Sequence, residues 1–430
     1  MGLTAQQKAQ CRALWQQELE QNILPFWLRA VDTESGGVFT CFSNDGGTLL
    51  SENKFTWSQG RFLWNESRQA ALIRSGLCQG DAAPLLAHAK QTADFLLNHA
   101  FLDNGHCAFL LDRHGSKLLD RHGSKLEMKP GEGYDTSFYA DCFVVIGLCE
   151  YAFVSGESGY FEHALALYDN VSQRLASGRV RSEPYPAPPG FEPYAYEMIM
   201  LGTVTELLRY ALRYQHPALS RLTTLTRRSL QRIFADFHDP ETLIPLEMKV
   251  VPEHRDTLLA RHKTPGHTLE NMWFCFHAAQ LLGETETYLP AIAKITSLMW
   301  HMGWDDQYGG LFRYTQADGS PPAGRLLGGD PYETLIADTW SSKIWWVHSE
   351  ALYTLLLMAE QNNDPQFFSL YQQTADYVLN TFPNREQGEW TQIRDREGAP
   401  LNKVVALPVK DPFHIMRNLQ LIVSLCGQPS

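Results

Sequence analysis

No CxxC pair occurs among the eight cysteines of this 430-residue chain, and their scatter favours reduced core thiols over a disulfide frame or a cysteine zinc site. Positive charge is scarce as well. The 36 Lys and Arg stand against 48 Asp and Glu, for a net charge of −12; without a basic patch anywhere, a nucleic-acid partner is not expected. The N-terminal "MGLTAQQKAQCRALWQQELEQ" lacks the basic region, apolar core and cleavage site of a secretion signal. No apolar run reads as long enough to span a bilayer. The expected setting is the cytoplasm, with no membrane partner. Also missing are a P-loop, a dinucleotide fingerprint and any Pro- or Ser-rich linker. ATP binding is not expected, and residues 1–430 read as a single domain. With 44% hydrophobic residues the core is ample, and the expected partner is a small molecule.

What the chain has in quantity is helix. The hydrophobic period marks about twelve stretches, near 4–29, 58–76, 81–100, 136–154, 158–175, 192–214, 217–236, 266–283, 286–302, 340–360, 364–382 and 411–426. Connections into the odd-numbered helices are a few residues ("CQGD", "SGES", "GETE", "QNND") and predict antiparallel hairpins. Those into the even-numbered helices are long and contain "SGGVFTCF", "GHCAFLLD", "ETLIPLEMK", "YGGLFRYT" and "GEWTQIRD", aromatic or β-branched runs beside Gly that predict small strands. Because helices alternate in direction, every long loop emerges on one face. Six hairpins of roughly seventy residues predict an all-α (α/α)6 barrel, even helices inside, with short β-hairpins on the loop face; an open solenoid is the alternative. One literal repeat stands apart: "LDRHGSKL" at 111–118 recurs at 119–126. It is expected to be a local duplication lengthening a hairpin, and His114 and His122 are given no role.

In "KTPGHTLENMWF" Thr264 suits the N-cap and Pro265 the first helical position. His267 then falls in the first turn of an inner helix, where free N–H groups and the macrodipole oppose positive charge. A neutral ring acting as general base is expected, with Glu270 on the same face to orient it; capping of the helix is the competing explanation. Similar groups recur. "KIWWVHSEAL" sets His348 and Glu350 at the start of another inner helix, "DPFHIMRNL" sets His414 and Arg417 at the start of the last, and "KFTWSQGRFLW" opens the first with Arg61. Tryptophans beside them, Trp57 and Trp345 included, suit a polyhydroxylated ligand: flat faces for C–H stacking, charged donors for hydroxyls.

At these segments the chain resembles the N-acylglucosamine 2-epimerase family. The matching stretches are "SGGVFTC", "KFTWSQGRFLW", "CAFLL", "TPGHTLENMWF", "GWDDQYGGLF", "KIWWVHSEAL", "GEW" and "FHIMR", in the family's order from near residue 36 to near 417. The resemblance implies an (α/α)6 barrel, C2 epimerisation of a sugar through an enediolate, and a homodimer. His267 and His414 match the two acid/base histidines and Arg61 the arginine that steadies the sugar oxygen. His348 and Glu270 match neighbouring pocket residues, joined as expected substrate contacts by Trp57, Glu197, Trp345 and Arg417. No metal or redox cofactor is required. With two histidines at work, the acid limb of activity is expected at about pH 6 to 7.

Three departures leave the sugar itself open. "EPYAYEMIML" puts Glu197 where sugar isomerases and disaccharide epimerases of the wider superfamily have a histidine. Thr339 stands where N-acylglucosamine epimerases have a Glu. "ALPVKDP" replaces a Gly- and Lys-containing run before the last histidine. Other outcomes on this scaffold are an aldose–ketose isomerase, a glycoside hydrolase drawing on Glu197, Glu270, Asp338 or Glu350, and a non-catalytic sugar-binding protein.

Overall fold

The computed structural model describes residues 2–119, 133–402 and 408–427. Twelve principal helices run in chain order: α1 (Ala5–Glu18), α2 (Thr56–Arg74), α3 (Ala82–Phe95), α4 (Phe138–Ser155), α5 (Ser158–Ala176), α6 (Tyr194–Tyr214), α7 (Leu219–Asp236), α8 (Pro265–Leu282), α9 (Thr285–Gly303), α10 (Trp345–Gln361), α11 (Gln366–Thr381) and α12 (Phe413–Gly427). A π-helical turn, Leu19–Ile23, carries α1 on into Leu24–Arg29, so the single long stretch read from sequence is one helix with a bulge. The even helices pack in succession, α2 on α4, α4 on α6, α6 on α8, α8 on α10, α10 on α12, and α12 back on α2. The ring is closed, an (α/α)6 barrel; α3, α5, α7, α9 and α11 each back their hairpin partner from outside, and α1 backs α12.

Composition explains which helices lie inside. In α7 the buried residues Leu222, Thr226, Ser229, Leu230 and Ile233 follow one stripe, as an outer helix requires. In α10 nearly every residue from Trp345 to Ala359 is buried, because an inner helix is covered by neighbours, outer helix and bore. Helix α4 is apolar enough over 18 residues, at mean hydropathy 1.5, to satisfy the length and composition of a membrane span, contrary to the sequence expectation. Its faces are occupied by the ring. Between α2 and α4 the backbones nearly touch: a Cβ on Gly60 would lie 2.3 Å from the Phe143 carbonyl oxygen, and one on Gly147 2.3 Å from that of Gly60. Glycine is required at both crossings.

The long loops meet on one face through small antiparallel pairings: β1 (Cys41–Phe42) with β2 (Leu49–Ser51), β3 (Lys54–Phe55) with β4 (Leu110–Leu111) and on to β5 (Lys117–Leu118), β6 (Phe191–Pro193) with β7 (Met248–Val250), and β8 (Lys343–Ile344) with β9 (Ile393–Arg394). All but β1–β2 and β4–β5 join loops of neighbouring hairpins. "YGGLFRYT" forms no strand, only the isolated bridges Trp304–Leu311 and Lys263–Thr315, and that loop also holds an unanticipated helix, Pro331–Thr339. The first copy of LDRHGSKL is the β4–β5 hairpin. The second copy and His122 lie outside the described residues, except for Leu119.

Three of the loops are closed by a buried lysine. Each begins with a turn capped by its own side chain: Asp32 accepts from Glu34 and Ser35 N–H, Asp305 from Gln307 and Tyr308, Asn384 from Glu386 and Gln387. The lysine at the loop's far end returns to that turn. Lys54 Nζ lies 2.9 Å from Asp32 Oδ2 and 2.7 Å from Gly36 O; Lys343 Nζ lies 3.0 Å from Asp305 Oδ2 and 3.2 Å from Gly310 O; Lys410 Nζ lies 2.7 Å from Trp390 O and 2.8 Å from Glu389 Oε2. Burial presses the Lys343 ammonium down to about 8 even with Asp305 beside it. Removing one partner of such a pair leaves the other buried and charged. Lys343→Met is expected to lower stability by about 3–5 kcal/mol, read from the midpoint of urea unfolding; an unchanged midpoint would contradict the clamp.

Candidate active site

The loop face opens into a cavity of about 320 Å³ at the N-terminal ends of the inner helices. Its walls are largely aromatic, with Trp57, Tyr139, Phe143, Tyr196, Trp345 and Trp346 among them, and Arg61, Glu270, His267, His414 and Arg417 reach it from α2, α8 and α12. A predominantly apolar cleft with a few convergent polar groups is the usual form of a small-ligand site.

His267 and His414 enter from helices on different sides, and Trp346 lies between them. The Trp346 ring is 5.5 Å from each imidazole, centroid to centroid, so the two histidines stand no further apart than the sum of those distances. Trp346 is seated against α8, where a Cβ on Gly266 would fall 2.2 Å from Cζ3 of the indole. Only glycine leaves room for the ring.

Each imidazole is oriented through Nδ1 by a buried carboxylate. Nδ1 of His267 lies 3.1 Å from Glu247 Oε2, and Nδ1 of His414 lies 2.7 Å from Glu350 Oε1. With a carboxylate accepting at Nδ1, that nitrogen carries the hydrogen in the neutral ring and Nε2 is the one able to take a proton. Burial lowers the His267 pKa, but the charge and hydrogen bond of Glu247 outweigh it, and the net shift is upward. The direction is opposite to the one expected from the macrodipole, since a carboxylate in contact exceeds it. The structure also corrects the expected orienting residue, Glu247 in place of Glu270. Glu247 is itself held low: burial opposes its charge and His267 more than restores it. The Thr264 cap is present only as backbone, since its side chain makes no capping hydrogen bond.

Glu270 serves the other histidine. Arg417 Nη2 donates to Glu270 Oε1 at 2.5 Å and to Glu350 Oε1 at 2.7 Å, while Trp273 Nε1 donates to Glu350 Oε2 at 2.7 Å. Burial pushes the Glu350 carboxyl up, yet Arg417 and His414 together hold it well below the usual range. Glu270, Glu350 and His414 bring ligand atoms within 4.8 Å of one another, a spacing a metal ion would accept. The guanidinium of Arg417 already supplies the cation between the two carboxylates.

Arg61 lies across the cavity, its guanidinium 4.0 Å from the Phe143 ring centroid and 4.9 Å from that of Trp57, a cation–π box. Two sequence candidates fall elsewhere. His348 is fully buried; its Nδ1–H donates to Ile344 O at 2.7 Å and its Nε2 accepts from Leu311 N–H at 2.8 Å. Both nitrogens are used and burial drives the ring down to about 3, so His348 is a packing histidine outside the cavity. Glu197 turns to the outer helix α7, accepting from Ser229 Oγ and pairing with Arg232 at 2.7 Å; Met198, one position on, takes the inward place. Sequence reasoning passed over Glu247, Trp346, Arg313 and Asp411. The first borders the strand recognised in "ETLIPLEMK", and the last sits three residues before His414.

Against known proteins, residues 37–417 match the N-acylglucosamine 2-epimerase (GlcNAc 2-epimerase) family. The N-acylglucosamine 2-epimerase of Homo sapiens is 30% identical over 417 residues, 96% of this chain and 89% of that protein. That of Mus musculus is 28% identical over 427 residues, 96% of this chain and 92% of the other. Among solved structures, cellobiose 2-epimerase from Bacillus thermoamylovorans superposes with a TM-score of 0.74 at 18% identity, covering 96% of this chain and 99% of that one; the two share the fold.

Removing the charge at position 247 should release the His267 ring to the effect of burial. NMR titration of Glu247→Gln is expected to show the His267 midpoint moving to lower pH than in the unmodified protein; an unmoved midpoint would deny Glu247 this part.

Proposed function

The chain belongs to the N-acylglucosamine 2-epimerase family, and we propose that it is a sugar 2-epimerase in which His267 and His414 exchange the C2 proton from opposite sides. The observation that carries this is the pair of imidazoles, each turned by its own carboxylate to present Nε2 to one aromatic cavity. The C2 hydrogen is acidic only next to a carbonyl, so the ring opens first and one histidine removes the proton. The resulting enolate places its negative charge on the C1 oxygen. Arg61, on the cavity wall, is suited to stabilise that charge. The second histidine returns a proton to the other face, and the epimer closes.

The four carboxylates singled out for glycoside hydrolysis are not placed for it. Glu270 and Glu350 share a single Arg417 nitrogen, closer together than the ~5–9.5 Å that flanking acid and base carboxylates need. Glu197 faces α7, and Asp338 is exposed on the loop helix. The proposed setting is cytoplasmic, supported by eight buried free cysteines, with a sugar as partner and a homodimer as assembly, which sedimentation measures directly.

The sugar is found by incubating the protein with N-acetylmannosamine, mannose, glucose, cellobiose and fructose and following products by proton NMR. A C2 epimer of one of these is expected, with rates reduced about 10²–10⁴-fold in His267→Ala and His414→Ala. A ketose as product would replace epimerisation by aldose–ketose isomerisation. Full activity in either variant would overturn the two-histidine assignment. Because Glu247 raises the His267 pKa, the acid limb is expected above the ordinary imidazole value of about 6.5.

A further inference from the structure

Asp411 has no part in the two-histidine scheme, yet it lines the cavity. It stands three residues before His414, within the run where this chain departs from its family's pattern. The residue is 96% buried, with 4% of its surface exposed. Its position is fixed on every side but one: its N–H donates to Gln392 Oε1 at 3.0 Å, its carbonyl accepts from Gln392 Nε2 at 3.0 Å, and Oδ1 accepts from Phe413 N–H at 3.1 Å. The other carboxylate oxygen, Oδ2, has no hydrogen-bond partner among the described residues. It lies 3.6 Å from His414 Nε2 and 3.4 Å from Arg61 Nη1, and the side chain lines the cavity. Arg61 balances its charge at ion-pair distance without a hydrogen bond, so the oxygen still has room for a donor.

Resting on the epimerase reading above, we propose that Asp411 opens and closes the sugar ring, so that the protein is also a mutarotase whose activity is separable from inversion at C2. The two oxygens of a hemiacetal sit on one carbon, and opening requires a base at the hydroxyl and an acid at the ring oxygen. Asp411 Oδ2 and His414 Nε2, one long hydrogen bond apart, match that pair. The carboxylate takes the proton from O1–H, and the O1–H electrons form the C1=O1 double bond. The C1–O5 bond breaks with its electrons on O5, which takes the proton from protonated His414 Nε2. The products are an open-chain aldehyde, a protonated Asp411 and a neutral His414. Arg61, beside Oδ2, is in reach of the new carbonyl oxygen. Reversal on either face of C1 closes either anomer and restores both groups.

The test follows anomer interconversion and C2 inversion in one tube. Freshly dissolved α-anomers of N-acetylglucosamine and of glucose are mixed with the unmodified protein, His267→Ala, and His267→Ala carrying Asp411→Asn, and the anomeric proton signals are followed by NMR. His267→Ala is expected to lose inversion yet still speed mutarotation above the buffer rate. Adding Asp411→Asn, which keeps the acceptor for Phe413 N–H, should cut that acceleration tenfold or more. Formate should restore part of it to the corresponding Asp411→Ala protein, a rescue that misfolding would not permit. No acceleration by His267→Ala, or equal acceleration with and without Asp411, overturns the assignment. Inversion by the unmodified protein alongside mutarotation indifferent to Asp411 sinks this proposal alone. No epimer from any sugar tested sinks the family-based reading instead.

Discussion

The nitrogen Nη2 of Arg417, held between Glu270 and Glu350, is the contact on which the arrangement of this molecule depends. Three helices, α8, α10 and α12, contribute one residue each. A carboxylate pair buried side by side would repel strongly, and one shared guanidinium converts the repulsion into a constraint on helix position. Glu350 then has one oxygen for His414 and one for Trp273. One set of buried charges thus ties three inner helices together and orients His414.

The second histidine is held by a different device. Glu247 reaches His267 from the loop that precedes β7, and that loop is positioned by pairing with β6 and by Tyr194 N–H on the Glu247 carbonyl. Both histidines stand on barrel helices, and for His267 the orienting carboxylate comes from the loop layer. The lysine clamps hold three other long connections, those that begin at Asp32, Asp305 and Asn384, and the last ends at Lys410, next to Asp411 on the cavity wall. Long connections are ordinarily the mobile part of a fold.

How much of this was legible in the chain follows from the periods involved. The 3.6-residue repeat marked all twelve principal helices and, through alternating loop lengths, the ring and its functional face; His267, His414, Arg61, Glu270, Arg417, Trp57 and Trp345 all reach the cavity. Periodicity does not resolve direction within the first turn. One position separates Glu197, which turns to α7, from Met198, which turns inward, and one separates Trp345 from the overlooked Trp346 between the histidines. His348 had the right helix and the right turn, but an imidazole there can also bond its own chain, four residues back at Ile344. Glu247 and Asp411 sit in loop and cap segments whose placement is set by strand pairing and backbone hydrogen bonds between distant residues, which no local spacing reports.

Two bases on opposite sides of one carbon leave an isotopic signature that no single-base arrangement shares. In D2O, starting from one pure epimer and stopping at low conversion, the account predicts product carrying deuterium at C2 and remaining substrate carrying none, in both directions of the reaction. Each histidine receives its own proton from solvent, so the hydrogen removed from one face is not the one delivered to the other. Product that retains the substrate's C2 hydrogen, or substrate that gains deuterium as fast as product forms, would contradict it.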